Sequence, residues 1–528
     1  MKPKEISIVI CDFPYPRLGT LDLKSITKRL SELDEVREIL LLEKPWKNSS
    51  KALKGLKGRK ILFVGFTDLE RTGFFEQAIL DLHLNEGDYM ILDMKRGVLD
   101  MYDTAQSAET NLYLQIRTST RLLADKETLA DAALEIKRKA LVYGSGISGL
   151  AAANRLAKAN IPVDILQTSE EPAGPGCLGD LYGDPGLLER LREETLGHDN
   201  VVLIPAEQIA GIASKQGKFI LNTGGTQSQE YGAFIFAPER VEGPAPEPGA
   251  LNLSDLYGKI RSGQRLKGTL VFLLDHGTKT SPEIFRDAMT AALYMRKMQY
   301  MDVWVLLQNV QVCRQGQEEL YTSCREAGVL FIKYADDLSI KSDYGDFFLS
   351  GLDTQTGAEF QIQHPEIMII PAKASLAPSA VSLADVLRVR LLDEAYSQPD
   401  SLWRLPNETN RSGVFTAGGA RGNMNAAQIL EDADSLAMSV RERFSRDRIS
   451  VKERIPEVDK EKCVYCLTCV RVCPFGAMIK NIEERVAGVD PAACEACGIC
   501  VAECPAEAMQ VRNFSNDTLY SGVGYLAQ

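Results

Sequence analysis

A chain of 528 residues is too long for one hydrophobic core and predicts several domains. Hydrophobic residues at 45% and charged residues at 25% exclude general disorder, and a net charge of -12 argues against a nucleic-acid binder. Nowhere does an apolar run approach the length of a bilayer span. The start, Met1-Lys2-Pro3-Lys4-Glu5 followed by Ile6–Ile10, is too short for the apolar core of a signal peptide. A cytoplasmic setting without direct membrane insertion is therefore expected.

Residues 5 to about 136 read as a small α/β domain. Ile6–Ile10, Arg59–Phe63 running on to Gly65, and Tyr89–Met94 have the character of strands. Leu23–Leu33 and Phe74–Leu84 show helical spacing, and 105–137 reads as one long helix or two shorter ones. The locally basic run Lys51–Lys60 reads as a solvated loop.

The strand Lys139-Ala-Leu-Val-Tyr143 runs directly into Gly144-Ser145-Gly146-Ile147-Ser148-Gly149 and an Ala-rich helix to about Ala159. Ile161–Leu166 supplies a second strand. Gly-x-Gly-x-x-Gly in a strand–turn–helix setting predicts a dinucleotide-binding βαβ unit. Its glycines allow a tight turn and the close approach of a pyrophosphate to a helix N-terminus. Where a ribose-binding carboxylate is expected at the end of the second strand, Gln167 stands instead. Gln still hydrogen-bonds a hydroxyl, and Glu170 and Glu171 are near.

Ala233–Ala237 reads as another strand, and the Pro/Gly-rich stretch Pro238 to Gly249 as a connector. Thr269–Leu274, 282–298, Val303–Leu307, 316–327 and Val329–Lys333 then predict β-α-β-α-β, a second Rossmann-like unit. Its first strand ends in Asp275-His276-Gly277-Thr278-Lys279 with no glycine fingerprint, so it is expected to fold without binding nicotinamide. After a strand at Ile367–Ile370, Gly413–Gly422 contains the pair Gly418-Gly419 and leads into a helix from about Asn425, with Ala426 near its start. That is the form of the second flavin-contacting segment in two-dinucleotide flavoproteins. A plain tight βα turn would read the same way.

Past a charged linker at 441–455 come eight cysteines. They are Cys463-x-x-Cys466-x-x-Cys469-x-x-x-Cys473-Pro474 and, 31 residues on, Cys494-x-x-Cys497-x-x-Cys500-x-x-x-Cys504-Pro505. Val458-Asp459 recurs as Val489-Asp490 and Ala477-Met478 as Ala508-Met509, the mark of an internal duplication. This is the bacterial ferredoxin spacing, in which the fourth Cys of each run ligates the other cluster. It predicts one [4Fe-4S] cluster on Cys463, Cys466, Cys469 and Cys504 and a second on Cys494, Cys497, Cys500 and Cys473. Zinc sites use ligand pairs, and four disulfides would need an oxidising compartment. The remaining Cys11, Cys177, Cys313 and Cys324 are scattered and read as free thiols.

With a flavin-type fingerprint, a second unit lacking one and a terminal two-cluster ferredoxin, the chain resembles the HdrA-like family, the FAD- and iron–sulfur-containing component of heterodisulfide reductases. The resemblance spans about residues 5–512. Its most specific stretch is Gly316-Gln-Glu-Glu-Leu-Tyr-Thr-Ser-Cys-Arg-Glu-Ala-Gly-Val-Leu-Phe-Ile332, beside Gly144–Gly149 and Gly413–Gly422. It implies an FAD-bearing electron hub of a cytoplasmic complex in anaerobes. The implied partners are HdrB/HdrC-like, or ferredoxin-, hydrogenase- or dehydrogenase-like, redox subunits. Some relatives bifurcate electrons. The family's further cluster cysteines align around Phe285, Met289 and Thr290, a flavin-side lysine near Met295, and a family glycine at Pro238. Of a Cys-rich strand end only Cys11 remains.

The expected fold class is α/β: a Rossmann-type two-dinucleotide flavoprotein fold with an N-terminal α/β domain and a C-terminal bacterial-type 2[4Fe-4S] ferredoxin domain. Its parts are 1–136, the first FAD-binding part 137–250, the degenerate NAD-like unit 251–370, the second FAD-binding part 371–448, the ferredoxin domain 449–512 and a polar tail 513–528. The expected function is an oxidoreductase subunit passing electrons between FAD, two clusters and partner proteins. No side chain reads as catalytic, and His83, His198, His276 and His364 sit apart. Two alternatives are an NAD(P)H-dependent reductase like the small subunit of glutamate synthase and a relay adaptor without flavin.

Overall fold

The computed structural model describes residues 6–527 except 13–20, 44–52, 57–58, 66–71, 95–104, 127–132, 168–186, 206–208, 224–227, 336–337, 344–345, 393–395, 398–400, 452–453, 512–513 and positions 86, 278, 314, 373, 403 and 423. The chain divides into two compact units. One is Met1–Leu134 with Ser450–Cys473 and Ala477–Gln528; the other is Glu135–Ile449 with Pro474–Gly476.

The N-terminal part carries β1 (Ile6–Asp12), α1 (Leu23–Leu30), β2 (Val36–Glu43), β3 (Lys60–Gly65), α2 (Thr72–Leu82), β4 (Tyr89–Asp93) and α3 (Ala105–Asp125). Its sheet is parallel in the order β2-β1-β3-β4. Ile6, Ile8, Val9 and Ile10 are all buried, as expected of a strand covered on both faces. Ala108, Leu112, Ile116 and Leu123 of α3 enter the same core. Cys11 is buried at the end of β1, and burial pushes its thiol up to about 12, which leaves it an inert core residue.

The other unit begins with β5 (Ala140–Tyr143), α4 (Ile147–Lys158), β6 (Val163–Leu166), α5 (Leu187–Leu196) and β7 (Val201–Ile204). A meander of β8 (Ile209–Lys215), β9 (Lys218–Thr223) and β10 (Ser228–Tyr231) follows, then β11 (Ala233–Phe236) and β12 (Arg240–Glu242). The connector foreseen at Pro238–Gly249 thus includes a strand. The second Rossmann-like region holds α6 (Leu253–Arg261), β13 (Thr269–Leu273), α7 (Pro282–Met298), β14 (Asp302–Leu307), α8 (Gln317–Glu326) and β15 (Leu330–Lys333). It continues with a second meander, β16 (Ser339–Asp343), β17 (Asp346–Leu352) and β18 (Glu359–Gln363), and with β19 (Ile367–Ile369). Then β20 (Ala374–Leu376) pairs antiparallel with β12, and α9 (Pro378–Leu387), β21 (Val414–Thr416) and α10 (Ala426–Phe444) complete the first fold.

Two parallel sheets organise this unit. The first runs β21-β11-β5-β6-β7 and the second β15-β14-β13-β19. In each, the first strand lies inside the sheet and the order reverses beside it, the doubly wound Rossmann arrangement. Alternation along each central strand separates two cores. Ala140 and Val142 face the helix side, where Ala151, Ala152 and Ala153 of α4 meet Ala433 and Ala437 of α10. Leu141 and Tyr143 face the meander and α9. Leu270 and Phe272 likewise divide from Val271 and Leu273. Asp164 is the buried exception within β6. Lys139 Nζ at 2.7 Å and the Tyr231 hydroxyl at 2.6 Å hold its carboxylate, as a buried charge requires.

The C-terminal module comprises β22 (Pro456–Val458), α11 (Thr468–Val472), β23 (Met478–Asn481), β24 (Val486–Val489), α12 (Ile499–Ala502) and β25 (Met509–Val511). Beyond it, α13 (Asn516–Ala527) occupies the stretch expected to be a polar tail, and this corrects that expectation. It packs on α3, where Gly522 is buried with Leu122 3.3 Å from where a Cβ would stand. A small residue at that point lets the two helices approach. Among the described residues no helix is long and apolar enough to cross a membrane.

Candidate functional site

The C-terminal ends of β5 and β11 flank the point where the strand order reverses, the crevice in which such sheets bind ligands. Three glycines shape it. Gly144 turns with φ +118°, and any Cβ there would run into the Ala237 carbonyl. A Cβ on Gly149 would strike the Gly144 carbonyl oxygen, so the glycine is what lets α4 lie this close to β5. Gly146 is the N-cap of α4 and supplies no side chain to cap it.

The cap comes instead from Glu239, three residues past the end of β11. Its Oε1 accepts from the Ser148 N–H at 2.8 Å and stands 2.8 Å from where a Gly146 Cβ would be. Burial raises the pKa of this carboxyl, against the lowering effects of the Ser148 N–H and of the Arg240 charge. Arg240 itself donates to the Tyr396 hydroxyl at 2.6 Å and lies over that ring.

The turn after β21 closes the site from the other side. Gly418 has φ +56° and packs on Ser148, and the Gly419 N–H donates to Ser148 Oγ at 3.1 Å. Asp432 of α10 accepts from the Gly418 N–H at 2.8 Å and the Asn407 side-chain amide at 3.1 Å, and is ion-paired with Arg421. The start of α10 is a capping box: Asn425 and Gln428 bond each other's backbone N–H, with Ala426 as first helical residue. Asp432 also lines a cavity of about 650 Å³ with Glu283, Tyr396, Gly422, Met424 and Gln428.

The structure therefore brings Gly144, Gly146, Ile147, Ser148 and Gly149 together with Gly418 and Gly419. Ile147 and Ser148 are buried in the first turn of α4. Gln167 follows β6, the neighbour of β5, and its N–H donates to the Ile204 carbonyl at 2.9 Å. Glu170 and Glu171 lie outside the described residues. Sequence reasoning missed Glu239, Arg421 and Asp432. The signal for the first was visible in Pro238-Glu239, which follow β11 where a glycine is usual. The site's backbone fits a dinucleotide pyrophosphate, and the best indication is Glu239 itself. A carboxyl oxygen already accepts from an N–H of the first turn of α4, the kind of bond a phosphate oxygen makes at a helix N-terminus.

At the corresponding end of the second sheet the described residues place a carboxylate of that turn's own. Asp275, two residues past β13, has φ +62°, a conformation Asp tolerates through local hydrogen bonding. Its carboxylate accepts from the backbone N–H groups of Thr280 (2.9 Å), Gln308 (3.0 Å) and Asn309 (3.1 Å), and its own N–H donates to Thr280 Oγ1 at 2.8 Å. Phe285, Met289 and Met295, aligned with the family's cluster cysteines and lysine, are buried in the core around α7, and the Thr290 hydroxyl donates to the Arg286 carbonyl.

In the C-terminal module the two repeats exchange strands. Val458 of β22 pairs with Met509 of β25, and Val489 of β24 with Met478 of β23. Cys463, Cys466, Cys469 and Cys504 line one apolar recess with Leu467, Pro505 and Met509. Burial pushes the Cys500 thiol up to about 12, with Cys473, Cys494 and Cys497, and last Cys469, adding to the rise. Hydrogen bonds repeat as well: the Ala477 N–H donates to Cys473 Sγ at 3.3 Å and the Ala508 N–H to Cys504 Sγ at 3.4 Å. Among the described residues no His, Cys, Asp or Glu side chains converge as a single metal ion would require. Thiolates wrapped around a cubane stand further apart than ligands of one ion. An all-sulfur donor set in apolar surroundings fits a [4Fe-4S] cluster.

Residues 455–512 match the 4Fe-4S dicluster domain family. A protein of Archaeoglobus profundus, like the A component of heterodisulfide reductase, is 25% identical over 188 residues, 36% of this chain and 27% of that protein. The A-type iron–sulfur component of a CoB–CoM heterodisulfide reductase from Methanopyrus kandleri is 24% identical over 36% of this chain and 29% of its own length. The match thus spans a little over a quarter of these relatives. Over that stretch the chain is similar to the A components of heterodisulfide reductases, and it carries an iron–sulfur dicluster domain. A thioredoxin reductase of T. acidophilum superposes with a TM-score of 0.41 at 15% identity, over 59% of this chain and 100% of that one, a likeness too loose to bear on function.

Proposed function

We propose that the chain is a flavin/iron–sulfur electron-transfer subunit of an oxidoreductase complex, of the kind these relatives belong to. The observation that supports it best is the joining, in one chain, of a glycine-built anion cradle at a Rossmann switch point and a duplicated eight-cysteine module. FAD would be held by the backbone N–H groups of 146–149 at its pyrophosphate, by Gln167 at a ribose hydroxyl, and by Gly418-Gly419 and the start of α10 near the flavin. Bound there, it would supply the exchange between two-electron and one-electron chemistry, which belongs to the cofactor. The protein's own part is positioning. Asp432 fixes the Gly418 turn, and the Cys473 and Cys504 sulfurs each receive an N–H bond, which tunes a cluster's potential.

Two [4Fe-4S] clusters would sit on Cys463, Cys466, Cys469 and Cys504 and on Cys494, Cys497, Cys500 and Cys473. Electrons would leave to partner redox proteins. Anaerobic reconstitution tests this: about eight iron per chain, bound flavin, and a fall to about four iron in Cys504→Ser, with the cluster on Cys463, Cys466 and Cys469 lost. Loss of the other cluster would refute the ligand sets. The occupation of the cradle by Glu239 favours a second reading, a relay that has given up flavin. Protein reconstituted anaerobically with all its iron and still unable to hold FAD would decide for it.

A further inference from the structure

We propose that the Glu239 carboxyl is a resident acceptor in the dinucleotide cradle, an internal competitor that sets how tightly a pyrophosphate can bind there. The inference rests on the flavin reading above and adds to it the residue that governs loading.

Four observations lead to it. The middle glycine of the fingerprint leaves space for a phosphate to approach the backbone, and here that space holds the Glu239 side chain. The Ser148 N–H, which points out of the first turn of α4, is already bonded to Glu239 Oε1. Glu239 Oε2 reaches within 3.4 Å of where a Gly419 Cβ would stand, so the carboxylate spans the crevice between the α4 terminus and the β21 turn. Finally, Pro238 before it is buried, so the backbone that carries Glu239 is packed in place.

An incoming pyrophosphate and this carboxyl claim one place and one N–H donor, and the carboxyl repels the phosphate to the extent that it is ionised. A phosphate oxygen can take over the Ser148 N–H, so the hydrogen bond is exchanged rather than lost. What remains against binding is the relocation of the Glu239 side chain and the repulsion it exerts if it stays near. These two parts separate by substitution. Glu239→Ala removes both the bulk and the charge. Glu239→Gln keeps the bulk and removes the charge.

The test uses full-length protein, stripped of flavin and holding its iron, titrated with FAD by fluorescence quenching and with ADP by calorimetry as a flavin-free probe of the cradle. Iron content and far-ultraviolet circular dichroism show that each variant is folded. Glu239→Ala is expected to bind both ligands at least about tenfold more tightly than the unsubstituted chain, a difference of about 1.4 kcal/mol. Glu239→Gln is expected to fall between them. Without any ligand, Glu239→Ala is expected to melt at a lower temperature, because α4 loses its cap. Equal FAD affinity in all three proteins would overturn the competitor and leave the flavin reading standing. Binding of neither FAD nor ADP by any of them would overturn both.

Discussion

The two Rossmann-like sheets of the central unit are built alike, and each has a carboxylate at the end where phosphates usually bind. They differ in where that carboxylate comes from. Asp275 stands two residues past the first strand of its own sheet and gathers three backbone N–H groups from two neighbouring turns. Glu239 reaches over from the adjacent strand and holds one, that of Ser148. The first arrangement is part of the fold, and removing it leaves amides without acceptors. The second lies on top of a complete glycine turn that persists without it. A binding site can thus be closed in two ways, by rebuilding its backbone or by laying a side chain across it, and only the second is reversible by a ligand.

This contrast has a definite order of expected effects. Asp275→Ala should cost the most, about 2–4 kcal/mol, from hydrogen bonds to a charged acceptor. Amide exchange at Gln308 and Asn309 should accelerate with it. Gly149→Ala should cost about 1–3 kcal/mol, because the added methyl meets backbone rather than a movable side chain. The denaturation midpoint of the central unit reports it, and helix α4 should lose protection before α7. Glu239→Ala should cost least, about 0.5–2 kcal/mol, the usual worth of a helix N-cap. A loss in Glu239→Ala as large as that in Asp275→Ala would show that both carboxylates are equally built in.

What could be read from the residues alone was what local chemistry dictates. Ligand spacing is imposed by a cluster, so Cys463–Cys504 announce themselves, and a phosphate turn needs glycine at set intervals, so Gly144–Gly149 do too. The central strands of both sheets are continuous apolar runs and were legible within a residue or two. Glu239 was not, since its role exists only through contact with Ser148, 91 residues away in sequence. The meanders at 209–231 and 339–363 were missed because short strands rich in Lys, Ser and Gln resemble loops. The helix at Asn516–Ala527 was missed because its small and polar residues make sense only against Leu122.

That last helix has a consequence for how the protein is made. Its docking partner α3 is complete once residue 125 has been synthesised, yet α13 follows only after the whole central unit and the cysteine module. At ~5–20 residues per second the ribosome takes roughly 20 to 80 seconds to deliver it. Throughout that interval Leu122 of α3 lacks the helix that packs on it, a natural point for a chaperone to attend.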